Sequence, residues 1–178
     1  FYSLAIKISG AVQASRWTDL PEGGFICSFN GPHSLFVDTI RSCRILVASH
    51  LMGHSLHGEG DRKISLLERA LQHIEATAKY SIYYGEGRDH YDIWGRTAHE
   101  IIFNTNDGQF RCPNAQQGYT GFSTWTRGLA WGMIGVAEEL EALELVNNDE
   151  LTALGGVDKI EEMMLKGAKS TCDFYIEH

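Results

Sequence analysis

Apolar residues recur every three or four positions in five stretches of the chain, and this periodicity constrains the fold more than any other feature. The stretches cover residues 1–15, 35–52, 62–80, 123–146 and 156–178. Such spacing places the apolar side chains on one face of an α-helix, where a neighbouring element can bury them. We therefore predict five helices in an all-α fold. Ser34 and the pair Ser123-Thr124 are candidate N-caps of the second and fourth helices.

Two connections between these helices, residues 16–33 and 81–122, are unusually long. Structureless loops longer than about 15 residues are uncommon in compact domains and are often functional. The second loop contains Asn106-Asp107-Gly108, a strong turn signal, between the short apolar segments 99–103 and 109–112. We predict a small β-hairpin there, and we expect the long loops to gather at one end of the helices and form a cleft.

The fourth predicted helix contains Gly128, Gly132 and Gly135 beside its apolar stripe. Glycine destabilises a helix interior by about 1 kcal/mol relative to alanine, so three of them need a compensating reason. Close packing of another backbone is the simplest one, and we predict it for this helix face.

Composition and charge exclude several classes of function. The net charge is −8, and residues 132–178 alone hold 11 acidic and 3 basic residues, so a nucleic-acid partner is not expected. No apolar run approaches the roughly 20 residues that cross a bilayer, and no leader opens the chain, so we expect a soluble protein, cytoplasmic or periplasmic, without a membrane partner. The only histidines at metal-binding spacing, His50, His54 and His57, lack a further ligand, and no metal or cofactor is predicted.

The densest group of chemically useful residues lies around the start of the fourth helix. It comprises Gln116-Gln117-Gly118-Tyr119 and the segment Ser123-Thr124-Trp125-Thr126-Arg127-Gly128-Leu129-Ala130-Trp131. Flat aromatic rings stack on sugar faces, while amides and a guanidinium bind hydroxyl or carboxylate groups. This segment therefore predicts a carbohydrate site.

The segment STWTRGLAW resembles the STWxRGQAW signature of the unsaturated glucuronyl hydrolases, glycoside hydrolase family 88 and its relatives. The resemblance extends along the chain: His99 lies eighteen positions before Gln117, as the substrate-binding histidine of that family does before its glutamine. Gly23-Gly24-Phe25 followed by Leu35-Phe36-Val37-Asp38 is similar to the approach to the family's catalytic aspartate. Leu129 departs from the signature, which often has glutamine there.

The resemblance implies part of an (α/α)6 six-hairpin toroid and a glycoside hydrolase that needs no cofactor. Such enzymes hydrate the C4=C5 double bond of an unsaturated uronic acid at the non-reducing end of an oligosaccharide, which then releases its neighbouring sugar. Asp38 would protonate C4 and then accept a proton from water. The substrate-binding residues would be His99, Gln117, Trp125, Arg127 and Trp131. An apolar setting for Asp38 would favour its protonated form.

We expect residues 1–178 to be a single piece of a catalytic domain, cut at both ends, because the chain begins at Phe1 inside an apolar pattern and ends at His178 within a predicted helix. A second aspartate of the family would lie upstream of Phe1. Two alternatives stay open: a related toroid enzyme, such as an unsaturated rhamnogalacturonyl hydrolase, a polysaccharide lyase or a sugar epimerase, and a non-catalytic carbohydrate-binding protein. The sequence does not indicate an oligomeric state.

Overall fold

The computed structural model describes residues 1–178, apart from the side chain of residue 59. Its six α-helices are α1 (Tyr2–Ser15), α2 (Arg44–Leu51), α3 (Leu66–Ala76), α4 (Thr126–Leu143), α5 (Asn148–Ala153) and α6 (Val157–Glu177). A 3-10 helix, Val37–Cys43, leads directly into α2, and a π-helical turn, Thr77–Ser81, continues α3. A short 3-10 turn spans Glu59–Asp61. Within the described residues, none of the helices is both long and apolar enough to cross a membrane.

Seven short strands form three small antiparallel sheets. They are β1 (Trp17–Asp19), β2 (Gly24–Ile26), β3 (Ser34–Phe36), β4 (Leu56–His57), β5 (Lys63–Ile64), β6 (Glu100–Phe103) and β7 (Phe110–Asn114). The first two strands pair with each other, as do β4 and β5, while β6 lies between β3 and β7 in a three-stranded sheet. Helices supply most of the structure, in agreement with the all-α prediction, and a complete six-hairpin ring stays a prediction.

Several local predictions are confirmed. The first and fifth predicted helices are α1 and α6, and Gly156 takes a left-handed φ of 97° just before α6. The third is found as α3 with its π-helical turn, although it begins at Leu66, where the Ser65 hydroxyl accepts the backbone N–H of Glu68. The predicted hairpin is β6 and β7. Sequence periodicity alone missed α5 and the strand pairs β1–β2 and β4–β5.

The prediction of a second helix over residues 35–52 is wrong for the first half of that range. Residues 34–36 form β3, which pairs with β6 so that Leu35 lies opposite Ile101. The backbone N–H of Val37 then donates to the His99 carbonyl at 3.0 Å, and only Arg44–Leu51 is α-helical. Ser34 is therefore not an N-cap: its buried hydroxyl donates to the carboxylate of Glu100. Pairing with a distant strand overrides the local helical pattern.

The fourth predicted helix begins later than its sequence indicates. Trp125 is the N-cap residue of α4 and makes no side-chain capping bond. The expected cap Thr124 instead accepts the backbone N–H of Thr97 through its hydroxyl, at 3.3 Å. This bond connects the loop before α4 to the segment that precedes β6. It therefore places the start of α4, with Trp125, close to the β6–β7 hairpin.

Two apolar clusters hold the elements together. The larger one joins α1, α2, α3, α4 and α6 through Ala14, Leu46, Val47, Leu67, Ile74, Val136, Leu143 and Met164. The smaller one lies beneath the three-stranded sheet and contains Phe25, Leu35, Tyr83, Ala98, Ile101 and Phe103. Burying a large apolar side chain contributes roughly 1.5–3 kcal/mol, and the larger cluster fixes the position of the 3-10 helix because it includes Ile40 and Cys43.

The glycine face of α4 packs against this 3-10 helix, as the sequence predicts. A Cβ atom at Gly135 would lie 2.3 Å from Cγ2 of Ile40, and one at Gly132 would lie 3.3 Å from Cγ2 of Val37. Because Asp38 lies between these two contact residues, the close approach of α4 also sets the position of the Asp38 backbone.

Gly135→Ala is expected to lower the free energy of unfolding by about 1–2 kcal/mol. The added methyl group would lie 2.3 Å from Cγ2 of the fully buried Ile40. Overlap this close belongs to the upper part of the range for overpacking, about 2–3 kcal/mol, against a gain in helix propensity of about 1 kcal/mol. Chemical denaturation would measure the change. Gly132→Ala is the matched control on the same helix and should be nearly neutral; equal effects of the two variants would contradict this account of the packing.

Candidate active site

Asp38 lies at the start of the 3-10 helix, immediately after β3. Its side chain is 33% exposed, and Oδ2 lies 3.5 Å from Nε2 of His99. Its other oxygen, Oδ1, is buried and has no hydrogen-bond partner among the residues that the structure describes. The carboxyl group therefore faces His99 through Oδ2, while Oδ1 is closed to solvent and unsatisfied. Its exposed part can exchange a proton with a ligand.

The orientation of His99 follows from its surroundings. Its ring is buried, with its centroid 4.4 Å from that of Trp125 and 5.0 Å from that of Phe36. The backbone N–H of Gln116 donates to Nδ1 at 3.2 Å. Because Nδ1 accepts a hydrogen bond, the neutral ring carries its proton on Nε2, the nitrogen that faces Asp38. The distance of 3.5 Å is longer than an ordinary N–H···O bond, and such contacts often shorten when a ligand binds.

Arg127 and Gln117 lie next to Trp125. The guanidinium carbon of Arg127 lies 4.7 Å from the centroid of the Trp125 ring, and Nη2 donates to Oε1 of Gln117 at 2.5 Å. Both polar side chains are exposed, Arg127 in the first turn of α4 and Gln117 in the loop before it. A guanidinium fixed by stacking and by one hydrogen bond still has donors for a carboxylate. Contacts thus run from Asp38 through His99 and Trp125 to Arg127, so these predicted site residues share one face.

Trp131 reaches this face by a different route. The guanidinium of Arg41 lies 4.6 Å from the centroid of its ring and also pairs with Glu138 at 3.2 Å. Arg41 is one turn beyond Asp38 in the 3-10 helix, so Trp131 is joined to the same element as Asp38. One face of the indole is occupied by this cation, and Trp131 is half-buried.

An exposed aromatic residue extends the site on the side of β3. Phe29 is 78% exposed and stacks on Phe36 with a centroid distance of 5.5 Å, while Phe36 contacts His99 edge-on. Single exposed apolar residues are common on protein surfaces. Phe29 differs because its ring continues a stack of rings beside a polar site, and it offers a flat surface on which a sugar can stack. Phe29 is not among the site residues predicted from the sequence.

Glu100 is the second residue that sequence reasoning missed. It follows His99 in β6, is fully buried, and accepts hydrogen bonds from Asn30, Ser34, Asn114 and Gln116. Burial alone would raise the pKa of this carboxyl, but the four hydrogen bonds outweigh burial and hold its pKa below the ordinary value. The sequence signal for this role is an acidic residue at the start of a strand that is otherwise apolar. Successive side chains of a strand point to opposite faces of the sheet, and one face of such a strand must be buried.

The histidines weighed as metal ligands do not form such a site among the described residues, where no cluster of three metal-ligating side chains occurs. His50 instead contacts Glu150 of α5, with Nε2 and Oε2 at 2.9 Å. All four cysteines are free thiols.

Comparison with known proteins gives a consistent structural result. No protein-family model matches the sequence, and a search of curated proteins finds no match. Among solved structures, an unsaturated glucuronyl hydrolase specific for heparin superposes with a TM-score of 0.66 at 17% identity, covering 97% of this chain and 38% of that one. A variant of a protein abbreviated UGL, with the oligosaccharide dGlcA-Glc-Rha-Glc, gives 0.64 at 20% identity, covering 97% and 39%. An unsaturated glucuronyl hydrolase from Streptococcus agalactiae gives 0.60 at 19% identity, covering 92% and 35%.

These likenesses show that the chain has the fold of part of an unsaturated glucuronyl hydrolase. It spans less than two fifths of the length of each of the three structures. At 17–20% sequence identity, the likeness establishes a shared fold.

Proposed function

We propose that this chain carries part of the active site of a glycoside hydrolase that hydrates the C4=C5 double bond of an unsaturated uronic acid at the non-reducing end of an oligosaccharide. The observation that carries the proposal is the Asp38 carboxyl group, with one oxygen facing Nε2 of His99 and the other buried and unpartnered. The shared fold supports the same reaction class, because the structurally similar proteins are named as unsaturated glucuronyl hydrolases.

The partly exposed carboxyl group of Asp38 exchanges protons with the substrate in this mechanism. The Nε2–H of His99 faces Oδ2 and orients the carboxyl group. The protonated carboxyl gives its proton to C4 while a water oxygen bonds to C5, and the resulting carboxylate takes a proton from that water. The product carries a hydroxyl group at C5 and rearranges with release of the neighbouring sugar. General acid–base catalysis of this kind contributes about 10²–10⁴-fold to a rate.

Arg127 would bind the substrate carboxylate. Its planar guanidinium forms paired hydrogen bonds with carboxylates, and its stacking on Trp125 together with its bond to Gln117 reduces the freedom that binding has to remove. Trp125 thereby contacts both Arg127 and His99, and the exposed ring of Phe29 is available to stack on a sugar.

An ultraviolet assay tests the proposal. The purified protein is mixed with an unsaturated uronyl disaccharide, and the absorbance of the conjugated double bond is followed; we expect a steady loss. The matched control is the same disaccharide with a saturated uronic acid, which should give no signal. A gain of absorbance on an intact uronate polymer would identify a lyase instead. Binding of the disaccharide without any change in absorbance would identify a carbohydrate-binding protein.

A further inference from the structure

We infer that Glu100 is a positioning residue: it fixes the loop that supplies the Gln116 N–H to His99, and so determines which nitrogen of His99 faces Asp38 with a proton. This inference deepens the proposed function and rests on it for its catalytic consequence. The tautomer itself can be measured without substrate.

Glu100 joins three separate segments of the chain. Its Oε1 accepts from the Asn30 side-chain amide at 2.9 Å and from the hydroxyl of Ser34 in β3. Its Oε2 accepts from the side-chain amides of Asn114, at 2.7 Å, and Gln116, at 2.9 Å. A buried carboxylate that accepts four hydrogen bonds is fully satisfied, and such a network allows few alternative arrangements.

Gln116 is the member of this network that acts on the site. Its side chain donates to Glu100, and its own backbone N–H donates to Nδ1 of His99. The two bonds are made by one residue, Gln116, which is itself exposed to solvent. Fixing the side chain therefore fixes the direction of the N–H, because the residue is held at both ends.

The tautomer of His99 is the physical consequence. With Nδ1 accepting from Gln116, the proton of the neutral ring is on Nε2 and can be donated to Asp38. Without that N–H, the Nδ1-protonated form becomes accessible, and it would turn a lone pair toward the Asp38 carboxylate. Oδ2 would lose its donor, and His99 would no longer fix the orientation of the carboxyl group.

Two matched variants separate positioning from structural support. Gln116→Ala and Asn30→Ala each remove one side-chain amide donor to Glu100, but only Gln116 carries the N–H that reaches His99. The readout is the ¹⁵N NMR spectrum of the histidine rings, with the His99 signals assigned by their loss in His99→Gln. We expect Gln116→Ala to add an Nδ1-protonated population at His99 and to lower kcat about tenfold with KM changed less than twofold. Asn30→Ala should leave the His99 signals as in the wild type.

Glu100→Gln removes the carboxylate itself and should produce the same change at His99 as Gln116→Ala, or a larger one; should this variant not fold, the first pair decides. Identical His99 spectra in the wild type and Gln116→Ala, or equal shifts in both alanine variants, would overturn the inference. A protein without hydration activity, but with the expected tautomer changes, would refute the proposed function and leave the positioning role of Glu100 intact.

Discussion

Asp38→Asn is expected to lower kcat for double-bond hydration by about a thousandfold while substrate affinity changes less than about tenfold. The substitution keeps the shape of the side chain but removes the acidic proton, and general acid–base groups contribute about 10²–10⁴-fold. The amide can still contact His99, whose ring is fixed by Phe36 and Trp125, so the binding surface should persist.

The measurement combines initial rates of absorbance loss with calorimetric binding of the unsaturated disaccharide. Asp158→Asn is the matched control, because Asp158 is an exposed carboxylate in the first turn of α6 and has no part in the candidate site. It should leave both kcat and affinity unchanged. Wild-type turnover in Asp38→Asn would remove Asp38 from the mechanism and with it the proposed reaction.

Local sequence signals account for much of the fold. The hairpin β6–β7 was predictable because Asn106-Asp107-Gly108 dictates a turn whatever surrounds it. The helices α1, α3 and α6 were predictable because their apolar periodicity runs over many residues. The strand at residues 34–36 was not predictable, because the short apolar run Leu35-Phe36-Val37 fits a helix or a strand equally well. Its structure is decided by pairing with β6, more than 60 residues later in the chain.

The same limit applies to the candidate site. Asp38, His99 and Arg127 could be named from a resemblance in motif and spacing, and the structure brings them to one face. Glu100 could not, because its role depends on donors from three segments that only the fold brings together. The orientation of the Asp38 carboxyl group likewise depends on the tautomer of His99, which no sequence pattern encodes.

Glu139→Gln is expected to stabilise the protein at alkaline pH and to leave its stability nearly unchanged in acid. Glu139 lies in α4, is fully buried, and neither of its carboxylate oxygens has a hydrogen-bond partner among the described residues. Burial, reinforced by the nearby charge of Glu138 and only partly opposed by Arg44, raises the pKa of Glu139 from 4.5 to about 8. Burial likewise raises the pKa of the neighbouring Cys43 thiol, with Glu139 adding to the effect.

The sign of the pH dependence follows from this shift. The folded protein binds the proton of Glu139 more tightly than the unfolded chain does, so the associated stability is fully present below pH 4.5 and is lost as the pH rises through about 8. Glutamine resembles the protonated acid and has no charge to lose. The shift from 4.5 to about 8 corresponds to about 1.4 kcal/mol per pKa unit, so the variant should exceed the wild type by about 4–5 kcal/mol in free energy of unfolding near pH 8, and by almost nothing near pH 4.

Denaturant titrations at a series of pH values measure this difference directly. Glu144→Gln provides the matched control, since Glu144 is the exposed C-cap residue of the same helix and its replacement should change stability by less than about 0.5 kcal/mol. A stability difference for Glu139→Gln that stays constant with pH would mean that the carboxyl is solvated in the folded state. The close packing of α4 on the 3-10 helix would then have to admit water beside Cys43, within two turns of Asp38. The pH series of unfolding free energies therefore also tests whether water is excluded from the contact between α4 and the 3-10 helix that carries Asp38.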